Sequence, residues 1–385
     1  MKSLLQTLTR SALATALGVG LTAAAFAADL KVGLSVSLSG PNSSLGVPYA
    51  KGMQAALAYK PEVNGRKIQL IVLDDGSDPT TAGRNARKLV DEEKVDVLMG
   101  TSGVPAAIAM AQVGRDAKVP MIGLTPIQLD AAENAWVFTV AQPTQLMIDA
   151  VVQRMKKDGV KTVGYIGFSD AWGDLVYNAL MKSAPEAGIK VLGNERYARA
   201  DASVTGQVLK LVAMKPDAVM TGGAGTPGAL PFLALSERGF KGPVYGQHGL
   251  INPDFVRVVG AAGQGALMPT GPVIVAEQLP DGYPTKKIAM DFRAAFQKVN
   301  NAPTSDAFSA YSFDGWLVFT DAAARAKGEP GTPEFRLSLR DAIASTKEVV
   351  GTHGVYNFKP GNLYGVDERA RVIVKLDQGQ WKLAQ

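Results

Sequence analysis

Apolar and polar residues fall in blocks along this chain, and the blocks change period in a regular order. Residues 30–38 form a near-continuous apolar run, the pattern of a strand buried on both faces. Residues 45–59 space their apolar positions at helical intervals. Residues 67–73 predict the next strand, running into Asp74-Asp75. Residues 79–93 predict a helix, with Asp78 as N-cap and Pro79 in the first turn. Residues 95–99, 105–117 and 119–124 continue as strand, helix and strand. After residues 138–144, which carry Gln142-Pro143 and predict a crossing, the alternation restarts. Helices are expected at 144–157, 174–184, 203–213 and 227–238, with strands at 162–167, 190–197, 217–221 and 244–246. Beyond Gly263 the order changes to three helices, 284–299, 307–326 and 332–345, then short strands at 371–376 and 380–382 about Asp377-Gln378-Gly379. Strand–helix alternation of this kind implies an α/β fold with parallel sheets covered on both faces, here in two similar blocks.

The beginning of the chain follows a different rule. Lys2 and Arg10 flank a basic start, residues 11–25 carry no charge, and Ala25-Phe26-Ala27 offers a small-x-small cleavage site. The apolar stretch falls short of the about 20 residues that span a bilayer. An export tag over 1–27 is therefore expected, with cleavage after Ala27 and a periplasmic mature chain. Composition adds that the 385 residues contain no cysteine, so the fold must rest on a conventional core, for which 46% hydrophobic content suffices. Of the 40 basic residues, those other than Lys2 and Arg10 barely exceed the 35 acidic ones, and no basic block suggests nucleic acid.

Ligands of open α/β sheets sit beyond the carboxyl ends of strands. That rule singles out Gly100-Thr101-Ser102-Gly103-Val104, which leads from a strand into a helix whose free N–H groups favour a carboxylate. It also singles out Thr125 after the next strand, and Gly223 to Thr226, including Ala224 and Gly225, as suppliers of backbone groups. Plain capping and turn chemistry is the alternative for Ser102 and Thr125.

An enzyme would need a reactive constellation, yet His248 and His353 are the only histidines, and there is no cysteine nucleophile and no H-E-x-x-H. Ser102 lacks the closing glycine of a G-x-S-x-G elbow. Gly223-x-Gly225-x-x-Gly228 has the dinucleotide spacing, but no acidic residue near His248 stands where a ribose would be held. The residues thus call for no catalysis, no cofactor and no metal.

The stretch KVGLSVSLSGPNSSLGVPYAKGMQAAL resembles the opening of periplasmic binding proteins of the leucine/isoleucine/valine type, and LIVLDDGSDPTTAGRNARKLV, VDVLMGTSGVPAAIAM, VPMIGLTP, WGDL and VYGQHG follow in that family's order. The resemblance implies a type I fold: two Rossmann-like lobes with parallel sheets, joined by a three-crossover hinge. It divides the chain into 28–142 with 272–353, and 143–271 with 354–385. It implies a monomeric carrier that traps a small carboxylate-bearing ligand between the lobes and presents it to an ABC permease in the inner membrane. The alternative is a sensor feeding a membrane receptor. The resemblance also places Ser102 and Thr125 at the family's carboxylate-binding turns, with the key contact open among Ser102, Gly103 and Val104. Leu45 and Trp172 stand where that family covers its ligand, and Phe308 where a lid aromatic is found, although Phe308 fits a core helix face equally well. His248 departs from the pattern. Amino-acid binders carry an acid near this turn to pair the ligand's ammonium, and a near-neutral imidazole cannot replace it. Unless His248 is a structural loop residue, the ligand is expected to lack an α-amino group, as an aromatic or other organic acid does.

Overall fold

A computed structural model describes residues 28–130, 135–304 and 306–384. The expected export tag and its cleavage after Ala27 lie outside the described residues. The first block comprises β1 (Leu30–Val36), α1 (Ser43–Tyr59), β2 (Glu62–Val63), β3 (Arg66–Asp74), α2 (Pro79–Asp91), β4 (Val97–Gly100), α3 (Val104–Asp116), β5 (Met121–Gly123) and β6 (Val137–Thr139). Its sheet runs β2-β3-β1-β4-β5-β6, parallel except where β2 meets β3. Asp78 caps α2 as the pattern predicts, its carboxylate accepting from Thr81 N at 2.7 Å.

The second block comprises α4 (Thr144–Lys157), β7 (Thr162–Phe168), α5 (Ala171–Ser183), β8 (Lys190–Tyr197), α6 (Thr205–Ala213), β9 (Ala218–Gly222), α7 (Leu230–Glu237), β10 (Val244–Tyr245), α8 (Pro253–Val259) and β11 (Leu267–Thr270). Then come α9 (Lys286–Asn300), α10 (Phe308–Arg325), α11 (Pro333–Ala344), the hairpin β12 (Val349–Val350) and β13 (Val355–Tyr356), and finally β14 (Val372–Asp377) and β15 (Gln380–Leu383). The second sheet runs β15-β14-β11-β10-β9-β7-β8, with β14 and β15 antiparallel at its edge. Both sheets are covered by helices, so strands such as β4 and β9 are buried at every residue.

Helix α10 returns to the first block and packs on α1. Gly52 makes this approach close, because a Cβ there would come within 2.1 Å of Ser309 O. The aromatics of α10 alternate as a buried face should, with Phe308, Tyr311, Phe313, Trp316 and Phe319 all buried.

Two details differ from the sequence pattern. The segment 138–144 is not all crossing, since its start belongs to β6. Residues 354–364, assigned from the resemblance to the second lobe, pack with the first sheet: Tyr356 donates to Val140 O at 2.9 Å, Phe358 stacks edge-on to Phe138 at 5.4 Å, and Tyr364 bridges to Thr139. The chain joins the second sheet only at β14. The passages between sheets meet at one buried cluster, where Gly271 after β11 packs against the His353 ring. Gln142 Nε2 donates to Ala370 O at 2.9 Å and lies 3.3 Å from His353 Nδ1, while Tyr311 donates to Gln142 Oε1. Tyr311 also stacks on His353 at 3.9 Å.

Candidate functional site

Where the carboxyl ends of the two sheets face each other lies a cavity with ≈ 360 Å³ of empty volume. Its first wall is built on the first sheet. Gly100 ends β4, and Ser102, Gly103 and Val104 turn into α3; Leu124, Thr125 and Pro126 follow β5; Leu45 and Tyr49 come from α1, Phe308 and Tyr311 from α10. The opposite wall is built on the second sheet, from Trp172 in α5, Arg199 after β8, Ala224 after β9, and His248 and Gly249 after β10. Each turn residue follows a strand end, so the doubly wound topology itself brings these sequence-distant residues together.

The start of α3 is a donor surface. Gly103 occupies its N-cap without a side-chain cap, and Pro105 lacks an N–H. The first-turn N–H groups have no partner within the helix and carry the positive end of its dipole. Ser102 Oγ accepts from Ser37 N at 2.9 Å, which orients the hydroxyl and leaves its own proton unused by that bond. Beneath it the buried Asp75 carboxylate accepts from Ser37 Oγ at 2.6 Å, from Ser77 N at 2.9 Å and from Thr101 Oγ1, and so locks the two turns to each other. Thr125 differs: its hydroxyl donates to Thr101 O at 2.5 Å. It reaches the space foreseen for it but spends its proton on the backbone.

Trp172 is placed on the wall by a helix start that lies ahead of the helix expected at 174–184. Asp170 Oδ1 accepts from Trp172 N at 3.0 Å and Gly173 N at 3.2 Å, which begins α5 three residues early. The indole Nε1 donates to Gly223 O at 3.4 Å, so the side chain presents its ring to the cavity. Phe308 meets Tyr49 edge-on at 5.4 Å, so the alternatives of helix face and cavity wall describe the same side chain. Gly225, among the residues singled out, stands off the wall. Its N–H donates to Gly249 O at 3.0 Å, and at φ +58° a Cβ would lie 2.7 Å from Ser44 Oγ across the cleft.

His248 sits at 3% exposure, its ring perpendicular to Trp172 with centroids 5.4 Å apart. Neither ring nitrogen has a hydrogen-bond partner. Burial pushes its pKa down to about 3, which keeps the imidazole neutral.

The sequence reading missed Tyr49, Leu124, Pro126, Arg199, Gly249 and Tyr311. Tyr49 lies one helical turn after Leu45, and Tyr311 one after Phe308, so spacing could have found both. Arg199 follows the end of β8 as the chosen residues follow theirs. Its Nε donates to Asp170 Oδ2 at 2.6 Å, its guanidinium covers the Phe168 ring at 4.2 Å, and its Nη1 donates to Asn42 Oδ1 of the first lobe at 2.8 Å. A second bond between lobes runs from Thr226 N to Ser44 Oγ at 3.2 Å. Among the described residues, Arg199 is the one charged residue on the cavity wall, and no Asp or Glu lines it. Among the described residues no cluster of His, Asp or Glu could hold a metal, and no helix is long and apolar enough to cross a membrane.

Residues 29–361 match the family described as periplasmic binding protein. Among curated proteins the chain is similar to a Leu/Ile/Val-binding protein homolog 3 of Brucella melitensis, with 27% identity covering 67% of this chain and 71% of the relative. Among solved structures it is similar to an extracellular ligand-binding receptor from Rhodopseudomonas palustris, with 40% identity, 93% of this chain and 100% of that chain covered, and a TM-score of 0.90. An R. palustris ABC-transporter solute-binding protein in complex with benzoate shares the fold at 22% identity, with 92% and 95% coverage and a TM-score of 0.76.

Proposed function

Because this chain belongs to the periplasmic binding protein family, we propose that it is the substrate-binding component of an ABC importer and carries a small carboxylate without an α-ammonium group. The family is exported to the periplasm and its members are solute-binding proteins. The finer points, namely the ligand, the permease and a monomeric carrier, are our reading. A relative is named for leucine, isoleucine and valine, and a fold neighbour holds benzoate. The fold therefore leaves the choice to the residues that line the cleft.

The observation that carries the reading is the charge of the cavity wall. Among the described residues Arg199 is its sole charged side chain, and none of them places a carboxylate on the wall opposite the donor surface at α3. An ammonium buried there would lose its hydration with nothing to compensate, which is costly. A carboxylate would instead meet the Ser102 hydroxyl, the uncapped start of α3 and a positive field. Between the two polar ends stand Leu45, Tyr49, Trp172 and Phe308, apolar and aromatic surface that suits a ring.

The mechanism is binding and closure with no bond made or broken. A ligand that touches both walls lowers the energy of the shut arrangement by the contacts that the open one lacks. The permease then recognises the shut form. Titration calorimetry with benzoate-type acids and with leucine tests the assignment: heat from an acid and none from leucine is expected, and tight leucine binding with no response to acids would remove it.

A further inference from the structure

His248 is left over by everything described so far. Among the described residues lining the cavity, it is the only one whose buried side-chain nitrogens lack a partner. Buried polar groups in native proteins are paired, so an orphan on a cavity wall points to something that the cavity receives. The neighbourhood explains what kind of group this is. The Trp172 ring stands perpendicular to the imidazole, and Ala224 and Gly249 lie beside it on the same wall. None of these supplies a charge that would make the imidazole a cation. Arg199, the charged side chain of the wall, is engaged by Asp170 and Asn42.

A neutral imidazole carries one N–H donor and one acceptor nitrogen, and which nitrogen faces a guest depends on the tautomer. A ketone or ether only accepts and satisfies one of the two arrangements. A second carboxylate would need a positive partner that a neutral ring does not offer. A hydroxyl both donates and accepts, so it pairs with whichever nitrogen is presented. The two polar features also stand on opposite lobes: the donors at Ser102 and the start of α3 on one, His248 on the other.

We propose that His248 reads an uncharged hydroxyl on the ligand, at the end away from its carboxylate, so that the cavity selects hydroxylated aromatic acids over plain and dicarboxylic ones. This rests on the reading of the carboxylate end given above. The side chain acts as a specificity determinant: a site built to hydrogen-bond a hydroxyl disfavours the analogue that lacks it, because its own polar group is then left unpaired.

The experiment is calorimetry on the mature protein with benzoate, 3- and 4-hydroxybenzoate and terephthalate, repeated on His248→Phe and His248→Gln. In the wild type, one of the hydroxybenzoates binds at least ~10-fold tighter than benzoate, and terephthalate binds more weakly than either. In His248→Phe that preference disappears, with circular dichroism showing that the variant is folded. His248→Gln, which keeps a donor and an acceptor, retains part of the preference. Equal affinity for benzoate and both hydroxybenzoates in the wild type overturns the proposal, as does a preference that survives His248→Phe or one that His248→Gln fails to keep. The reading of the carboxylate end fails separately: it falls if no aromatic acid binds and leucine does.

Discussion

Ser102 shows how one hydroxyl is made ready for a guest. Its oxygen is held by Ser37 N, and the buried Asp75 holds Ser37 and Thr101 in turn. Ser102→Ala removes a donor to an anion, worth roughly 1.5–3 kcal/mol, so acid affinity should fall by about one to two powers of ten in calorimetry. An unchanged affinity would move the carboxylate away from this turn. The two buried histidines govern a different observable. Burial lowers His248 and His353 to about 3, whereas an unfolded histidine titrates near 6.5. Between those values the unfolded chain binds protons that the folded chain does not, so their contribution to stability is lost as pH falls from about 6.5 towards 3. Asp314, raised by burial to about 6, opposes this by holding a proton when folded. The comparison of variants isolates one group: His248→Phe should gain melting temperature relative to wild type as pH drops from 7 to 5. A gap that stays constant over that range would show that the imidazole titrates in its ordinary range.

At the scale of elements, the long periodic segments were legible, as were the short β5, β10 and β15, and other short ones were not. Strand β8, helix α4 and the aromatic face of α10 lie where the pattern put them, because burial on one face or on both imposes a period that local reading detects. Helix α8, with seven residues, and the short strands β2, β6, β11 and β12–β13 escaped. In β11 Pro269 interrupts an already brief apolar run. The start of α5 was misread for another reason. Asp170 was legible as a cap type, but nothing local said that it would cap Trp172 and Gly173 in preference to a later start. Close packing gives the test at this scale. Gly52→Val would set methyl groups against Ser309 on α10, so α1 must shift, costing on the order of 1–3 kcal/mol. A melting temperature equal to wild type would contradict the contact between α1 and α10.

For the whole molecule, the relevant quantity is the balance between shut and open lobes. Among the described residues, hydrogen bonds cross the cleft from Arg199 to Asn42, from Thr226 to Ser44 and from Ala307 N to Ile251 O. They favour the shut form and so lower the cost that a ligand must meet to close it. Asn42→Ala removes one of them while leaving Arg199 paired with Asp170. Loss of a charge-assisted bond of about 1.5 kcal/mol should raise the ligand's dissociation rate by roughly tenfold in stopped-flow fluorescence of Trp172. No change in that rate would show that the bond does not hold the lobes together. Small-angle scattering of the variant should also contract when a benzoate-type acid is added. An envelope that stays the same with a ligand demonstrably bound would end the closure mechanism.

The amino-acid order alone carried the two α/β blocks and the strand-end turns with Ser102, Thr125 and His248, because each is written in residues close along the chain. The tertiary structure alone decided that Arg199 bridges to Asn42 over 157 positions, that residues 354–364 side with the first sheet, and that His248 is buried without a partner. Those facts depend on which distant surfaces exclude water from one another, and no local period records that.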